Sequence, residues 1–375
     1  MSSSSQTPAV PRPPRSAGRA WLLDVFKALG CLLIVLHHLA FYGPMSDVVM
    51  QVWPGLIEWL YDRARLAVQM FLVCGGFLTA AGFSKILSLR VQDSLTLLWR
   101  RYLRLVMPLL AALSVAVLVS EIIRPHFDHA SLSALPVWPQ AWAHVALSQH
   151  LLNMEALSAG VWYVAMDFQL YATALVVFLV AQRLAAGSAA VPAVWRQRLW
   201  LALTAGSLLW WSGNESLDDY AVYFYGSYGL GYLAYKSREI GFSRKTWALV
   251  LGLTLLAWWL DPHWRLVTAL LVAAALARAP QSWLDAPAAH KRLTQAVQWL
   301  SQRSYSIFVI HFAVSLAVNA VVTQFWPEQL WPNGLGMLAS LGLSLCAGAL
   351  VFKWVEQPKP SLKRWAAWVA VFMAS

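Results

Sequence analysis

The chain is dominated by apolar stretches about as long as a bilayer is thick, parted by short polar segments. A helix needs ~20 mostly apolar residues to cross the hydrocarbon core. Ten such stretches stand at about 22–43, 64–84, 103–122, 160–182, 198–213, 219–236, 245–261, 263–279, 304–325 and 335–355. In lipid every backbone polar group must find its partner inside the segment or its neighbours, so runs of this kind fold as spanning helices. The expected fold is all-α, a polytopic transmembrane helix bundle of about ten spans. The fifth to eighth stretches carry the weakest signal. The sixth, DYAVYFYGSYGLGYLAYK, is rich in Gly and Tyr, and the seventh and eighth share a very short turn at Asp261, Pro262 and His263.

Composition supports a membrane domain. Of the 375 residues, 59% are hydrophobic and 12% charged, against about 45–50% and about 25% in soluble domains. That excludes an ordinary soluble enzyme, and it excludes a nucleic-acid-binding reading built on the net charge of +11. The 22 Trp and 12 Tyr suit interfacial belts. Cys31, Cys74 and Cys346 each lie inside an apolar run, with no disulfide framework and no metal spacing.

The basic residues are partitioned along the chain. With the N-terminal head in the cytoplasm, 23 of the 28 Lys and Arg fall in inward segments. Only Arg63, Arg65, Arg124 and Arg265 fall outside, and Lys27 lies within the first span. By the positive-inside rule this predicts that both termini are cytoplasmic. The net charge is thus mainly a topology signal. The chain divides into a Ser-, Pro- and Arg-rich head over 1–20, expected to be disordered, a membrane domain over 21–358, and a cytoplasmic tail over 359–375. The tail reads either as a helix lying at the inner surface or as a blunt apolar end. The longest outward loop, about 123–159, carries His126, His129, His144 and His150 but no accompanying ligand cluster, so no metal site is expected.

Ionisable residues inside spans are costly and mark functional positions. In the first span, LLDVFKALGCLLIVLHHLAFYG, Lys27 and His38 are eleven apart. Eleven residues make three turns plus ~20°, so both share one helix face, ~16 Å apart along the axis. Lys27 either holds an anionic donor or snorkels to the inner headgroups and pairs with Asp24. His38 is expected in the outer half of the bilayer, and His37, about 100° away, packs or makes a secondary contact. Asp167, ~10 Å into the fourth span, is expected at a similar depth to His38. There it would either fix the imidazole's tautomer and raise its basicity or bond to neighbouring Tyr and Trp groups. His311, mid-span, reads as a satisfied core histidine or as a catalytic one. Arg100, Arg101 and Arg104 read as inner-surface anchors or as ligands of anionic phosphates.

Six motifs stand in order along the chain: Asp24, Lys27 and His38; FLVCGGFL from Phe71 to Leu78; RRYLRLVMP with Arg100, Arg101, Arg104 and Pro108; WYVAMDFQLY with Trp162, Asp167 and Tyr171; SYSIFVIHF with Ser304, Tyr305 and His311; and VEQPKP with Glu356 and Pro358. Together they resemble the acyltransferase-3 family of integral membrane acyltransferases. The family's D-x-x-R opening and R-x10-H motif carry Arg where Lys27 stands here, which loses a planar fork but keeps the charge. Its W-x4-E-x3-Y element carries Glu where Asp167 stands, and its FFxLSGFL carries Ser where Gly75 stands.

The resemblance implies transfer of an acyl group, acetyl first of all, from cytoplasmic acyl-CoA to a hydroxyl of a glycan or lipid-linked sugar at the outer face of a bacterial plasma membrane. The implied catalytic residues are His38 as base and Asp167 as its orienter. Lys27, Arg100, Arg101 and Arg104 would bind the donor, with Asp24, Trp162, Tyr171, Tyr305 and His311 in support. No permanent cofactor is implied: acyl-CoA is a co-substrate, and the partners are membrane lipid, donor and acceptor, with no nucleic acid. The rival class is a transporter or flippase whose His and Asp relay protons. It accounts for the intramembrane polar residues but not for the order of motifs, and no inverted repeat supports it.

Overall fold

A computed structural model describes residues 21–241, 244–280 and 290–375. The head over 1–20 lies outside the described residues. Among those described there are only helices and their connections, with no strand. The six longest elements set the architecture. They are α1 (Trp21–Phe41), the broken pair α3 (Pro54–Asp62) and α4 (Ala67–Phe83), α5 (Val91–Ile123), α7 (Val161–Ala186), α12 (Lys291–Phe325) and α13 (Leu330–Val351). Each is long and apolar enough to cross a membrane. The break between α3 and α4 is a single 3-10 turn at Ala64–Leu66, and a short helix α2 (Pro44–Met50) precedes it.

The fifth to eighth stretches are also helical, as α8 (Pro192–Leu209), α9 (Ala221–Lys236), α10 (Arg244–Leu260) and α11 (Trp264–Arg278). They fall short of the six in length or apolar content: α9 has 16 residues and α11 has 15. At 1.5 Å per residue that is about 24 Å or less, below the ~30 Å of a typical hydrocarbon core. The ten expected spans thus resolve into six long apolar helices and four shorter ones. The reason is clearest in α9, which is buried along nearly its whole length by protein rather than lipid.

Its Gly and Tyr residues pack it there. A methyl group on Gly76 of α4 would overlap the Tyr228 carbonyl, and one on Gly231 of α9 would overlap the Val73 carbonyl. Two glycines facing each other's backbone let the helices cross at close quarters, the usual device where no hydrophobic force drives association. Tyr232 stacks on Trp200 of α8 at 4.0 Å and 6°, and the Tyr228 hydroxyl bonds Thr79 at 2.7 Å. The same device joins α12 and α13, where Gly348 lies against Ile307. α1 packs between α4 and α12, and Cys31 donates to the Ser304 carbonyl at 3.6 Å.

Between α5 and α7 the chain is ordered rather than an open loop. It contains α6 (Trp138–Val145), and the Tyr102 hydroxyl of α5 donates to the Val145 carbonyl at 2.7 Å. His144 is fully buried. It bonds the Gln140 carbonyl through Nδ1 at 2.8 Å and accepts from the Leu157 N–H through Nε2 at 3.2 Å. The segment therefore folds back into the bundle before α7 begins. The tail forms a helix, α14 (Leu362–Ala374), capped by Ser361, whose Oγ accepts from Arg364 N–H at 3.3 Å. It packs on α5, with Trp365 Nε1 donating to the Tyr102 hydroxyl at 3.2 Å and Phe372 buried.

Candidate active site

His38 lies near the end of α1 and His311 midway along α12, two helices that pack together. Their rings stack with centroids 4.9 Å apart and planes 8° apart, and His38 Nδ1 is 2.7 Å from His311 Nε2. His311 Nδ1 is 2.5 Å from the Phe308 carbonyl. A carbonyl only accepts, so Nδ1 of His311 carries its proton. Neutral His311 then offers a lone pair at Nε2, which requires His38 to donate from Nδ1. Neutral His38 is left with its lone pair on Nε2, the form a general base needs. His311 is thus the residue that orients His38.

His38 lines the larger of two neighbouring cavities, and Phe308, whose carbonyl holds His311, lines both. The larger, about 540 Å³, is lined by His37, His38, Gln69, Trp162, Tyr163 and Phe308, and by residues of three turns and the helix ends beside them: Asp62, Arg63 and Arg65; Glu215 and Asp218; and His263 and Arg265. Trp162 stacks on Phe224 in its wall at 5.3 Å. The smaller, about 330 Å³, is lined by Lys27, Arg101, Arg104, Asp167, Tyr305 and Glu356, among others. Arg101 forks onto Asp167, Nε to Oδ2 at 3.0 Å and Nη2 to Oδ1 at 2.6 Å. The Tyr171 ring lies 5.5 Å from the guanidinium carbon, a cation–π contact. Ser306 donates to Glu356 at 2.6 Å, and Tyr305 donates to the Leu105 carbonyl of α5 at 2.5 Å. Asp24 accepts from Ser301 at 2.6 Å, which ties the start of α1 to α12.

Two expectations need correction. Asp167 does not pair with His38: its carboxylate is taken by Arg101, and the partner of His38 is His311. The depth count assumed that α7 starts at the membrane surface. Instead the 138–160 segment carries the chain inward first. Gly160, at the head of α7, already touches the His38 level: a Cβ built on it would lie 3.5 Å from His38 Cε1. Seven residues further on, Asp167 is two turns, ~10 Å, beyond that level. Meanwhile α5 begins ten residues before Arg101, so Arg101 stands well up the helix rather than at its mouth. Arg100 is the second correction. One residue round the helix from Arg101, it is exposed and lines neither large cavity, so of the four basic residues expected at the donor only Lys27, Arg101 and Arg104 share a cavity. Lys27 lines the smaller cavity and His38 the larger.

Glu356 stands in the sequence only as part of a closing motif, yet it lines the smaller cavity. Tyr163 and Phe308 are not singled out by the motifs that contain them, yet among the described residues they alone line both cavities. His37 bonds the Leu60 carbonyl at 3.2 Å, a packing contact as expected, and it also borders the larger cavity. Among the described residues no three His, Cys, Asp or Glu side chains gather to hold a metal.

Apolar helices enclosing two polar cavities, with a paired imidazole on one and a basic cluster on the other, describe a multi-pass membrane protein with an enzyme's interior. Comparison with protein families matches residues 21–354 to the acyltransferase-3 family, described as an acyltransferase domain. The chain belongs to that family and is an acyltransferase. No curated protein and no solved structure matches it significantly.

Proposed function

We infer that this protein takes an acyl group, acetyl first of all, from cytoplasmic acyl-CoA and places it on a hydroxyl of a glycan or lipid-linked sugar at the outer face of the bacterial plasma membrane. The observation that carries the reading is His38, paired with His311, in the wall of a mixed polar and aromatic cavity that adjoins a basic one across Tyr163 and Phe308. The charge partition supports ten spans with both termini inside. On that topology, the turns bordering the larger cavity face outward, and the smaller cavity holds Lys27, Arg101 and Arg104 towards the inner side. Three cations beside two carboxylates suit the phosphates of a CoA donor. Trp162, Phe224 and the carboxylates of the larger cavity suit a sugar, whose rings stack on aromatics and whose hydroxyls bond to charged groups.

In the reaction, His38 Nε2 takes the proton of the acceptor hydroxyl as its oxygen attacks the thioester carbonyl. The C–O bond forms, the C–S bond breaks, and the proton passes to the departing thiolate. His311, held by the Phe308 carbonyl, keeps His38 in the required tautomer throughout. Asp167 holds Arg101 in place.

The test compares surface glycans by mass analysis in cells carrying the wild-type chain, the His38→Ala variant, or neither. Ester-linked acyl groups should appear only with the wild type. Purified protein should release thiol from acetyl-CoA, and His38→Ala should lower that rate by ~10²–10⁴-fold, the usual worth of general acid–base help. Movement of a glycolipid without thioester consumption would favour a transporter.

A further inference from the structure

Among the described residues the two cavities meet at only two side chains, Tyr163 of α7 and Phe308 of α12. Their rings are 5.7 Å apart and cross at 75°, an edge-to-face pair. Phe71 of α4 backs Tyr163 at 6.0 Å. On the other side, Gly160 takes φ +78°, and a Cβ there would lie 2.7 Å from Phe308 Cζ. A larger residue at 160 is thus excluded twice, by backbone and by the Phe308 ring. The ring also neighbours His38, since the same built Cβ lies 3.5 Å from His38 Cε1.

We propose that Tyr163 and Phe308 form a septum between the donor and acceptor chambers and thereby set the length of acyl chain that can be transferred. The inference rests on the functional reading above. A thioester approaching from the side of Lys27 and Arg101 meets the Tyr163–Phe308 edge before its carbonyl reaches His38. A two-carbon acyl group needs only the space one ring leaves when it turns. A longer chain has to lie along the septum, where two aromatic rings already fill the volume. Phe308 has a second part in the geometry through its backbone, because its carbonyl fixes the His311 tautomer. Side-chain replacements leave that carbonyl in place, so the septum can be opened without removing the device that orients His38.

Protein reconstituted in lipid vesicles is given acetyl-, butyryl-, hexanoyl- and octanoyl-CoA, with glycolipid extracted from the producing cells as acceptor, and thiol release is followed. The wild type should prefer acetyl over hexanoyl by ~10-fold or more, the scale on which pockets discriminate by chain volume. Phe308→Ala and Tyr163→Ala should each raise the hexanoyl-to-acetyl ratio by ~10-fold, while Phe308→Leu, which keeps most of the bulk, should raise it less. An unchanged ratio in both alanine variants, with the protein still monodisperse, overturns the proposal. A second measurement needs no acyl chemistry. Cys74 lines the smaller cavity only. With Cys31 and Cys346 replaced by Ala, a charged thiol reagent added on the His38 side should label Cys74 several-fold faster in Phe308→Ala than with the septum intact. Equal labelling removes the septum. Faster labelling together with no thioester consumption by any form upholds the septum and overturns the acyl-transfer reading instead.

Discussion

His38 Nδ1 lies 2.7 Å from His311 Nε2, and the two residues are 273 positions apart in the chain. An imidazole here does the orienting for which a carboxylate was expected. It supplies direction without charge: the neutral ring accepts one hydrogen bond and passes its own proton's bond to the Phe308 carbonyl. The consequence is a coupled pair. His38→Ala should cut the transfer rate by ~10²–10⁴-fold, and His311→Ala should cost nearly as much, because His38 is then free to take the tautomer with its lone pair on Nδ1. Residues acting as a unit are non-additive, so the double variant should be little slower than His38→Ala alone. Rates multiplying in the double variant would show that the two act independently.

Arg101 and Asp167 make the strongest polar contact between α5 and α7. The Arg101 side chain is 37% exposed and that of Asp167 11%, so solvent screens part of the attraction. Removing one partner strands the other in the cavity wall. Asp167→Asn and Arg101→Gln should each lower the melting temperature in detergent, and the double variant should recover part of the loss. The cycle should give a coupling of about 0.5–3 kcal/mol. Asp167→Glu, a longer arm with the same charge, should retain more stability than Asp167→Asn. Additive losses would mean that the ion pair is incidental.

What could be read from the sequence followed from local periodicity. Lys27 and His38 sit eleven residues apart on one helix, and the 3.6-residue repeat was enough to put both on a cavity-facing side. The Gly and Tyr content of α9 marked it as unusual, and the structure gives the reason: Gly231 and Gly76 bring two backbones together. Depth was not legible. It was counted from the ends of apolar runs, and that count failed for Asp167 because 138–160 folds inward before α7 starts. It failed for Arg101 because α5 runs on past the apolar run. The septum was not legible either. Tyr163 and Phe308 are ordinary aromatics in apolar spans, and only their meeting across separate helices distinguishes them.

The inward fold of 138–160 is held by His144, which lies outside the spanning helices. Burial pushes its pKa down to about 4, with the Gln140 carbonyl opposing and His150 adding to the shift. In the unfolded chain the group titrates near 6.5. Between these values the folded segment binds fewer protons than the unfolded one, so its stability is full above pH ~6.5 and falls as pH drops towards 4. The loss is on the order of 3 kcal/mol when complete. Protonated Nε2 can no longer accept the Leu157 N–H. Amide exchange across 138–157 should therefore speed up between pH 7.5 and pH 5, relative to exchange in α12. In His144→Ala it should be fast already at the higher pH and respond less to acid. A variant with the same pH response as the wild type would assign the effect to another group.

Membrane orientation is the premise on which the two chambers acquire their roles. The gathering of 23 of the 28 basic residues in alternate connecting segments predicts that the connection after α5 faces out and the segment before α14 faces in. The labelling sites have to be exposed in the folded protein. Ser131 is buried and would report on folding rather than sidedness, whereas Ala130 and Ser361 are exposed. In intact cells a membrane-impermeant maleimide should label Ala130→Cys and spare Ser361→Cys, each in a background with the native cysteines replaced by Ala. Permeabilised cells should show both. The reverse pattern would turn Lys27, Arg101 and Arg104 outward. A CoA donor confined to the cytoplasm would then have to enter from the His38 side, and the assignment of the cavities would exchange.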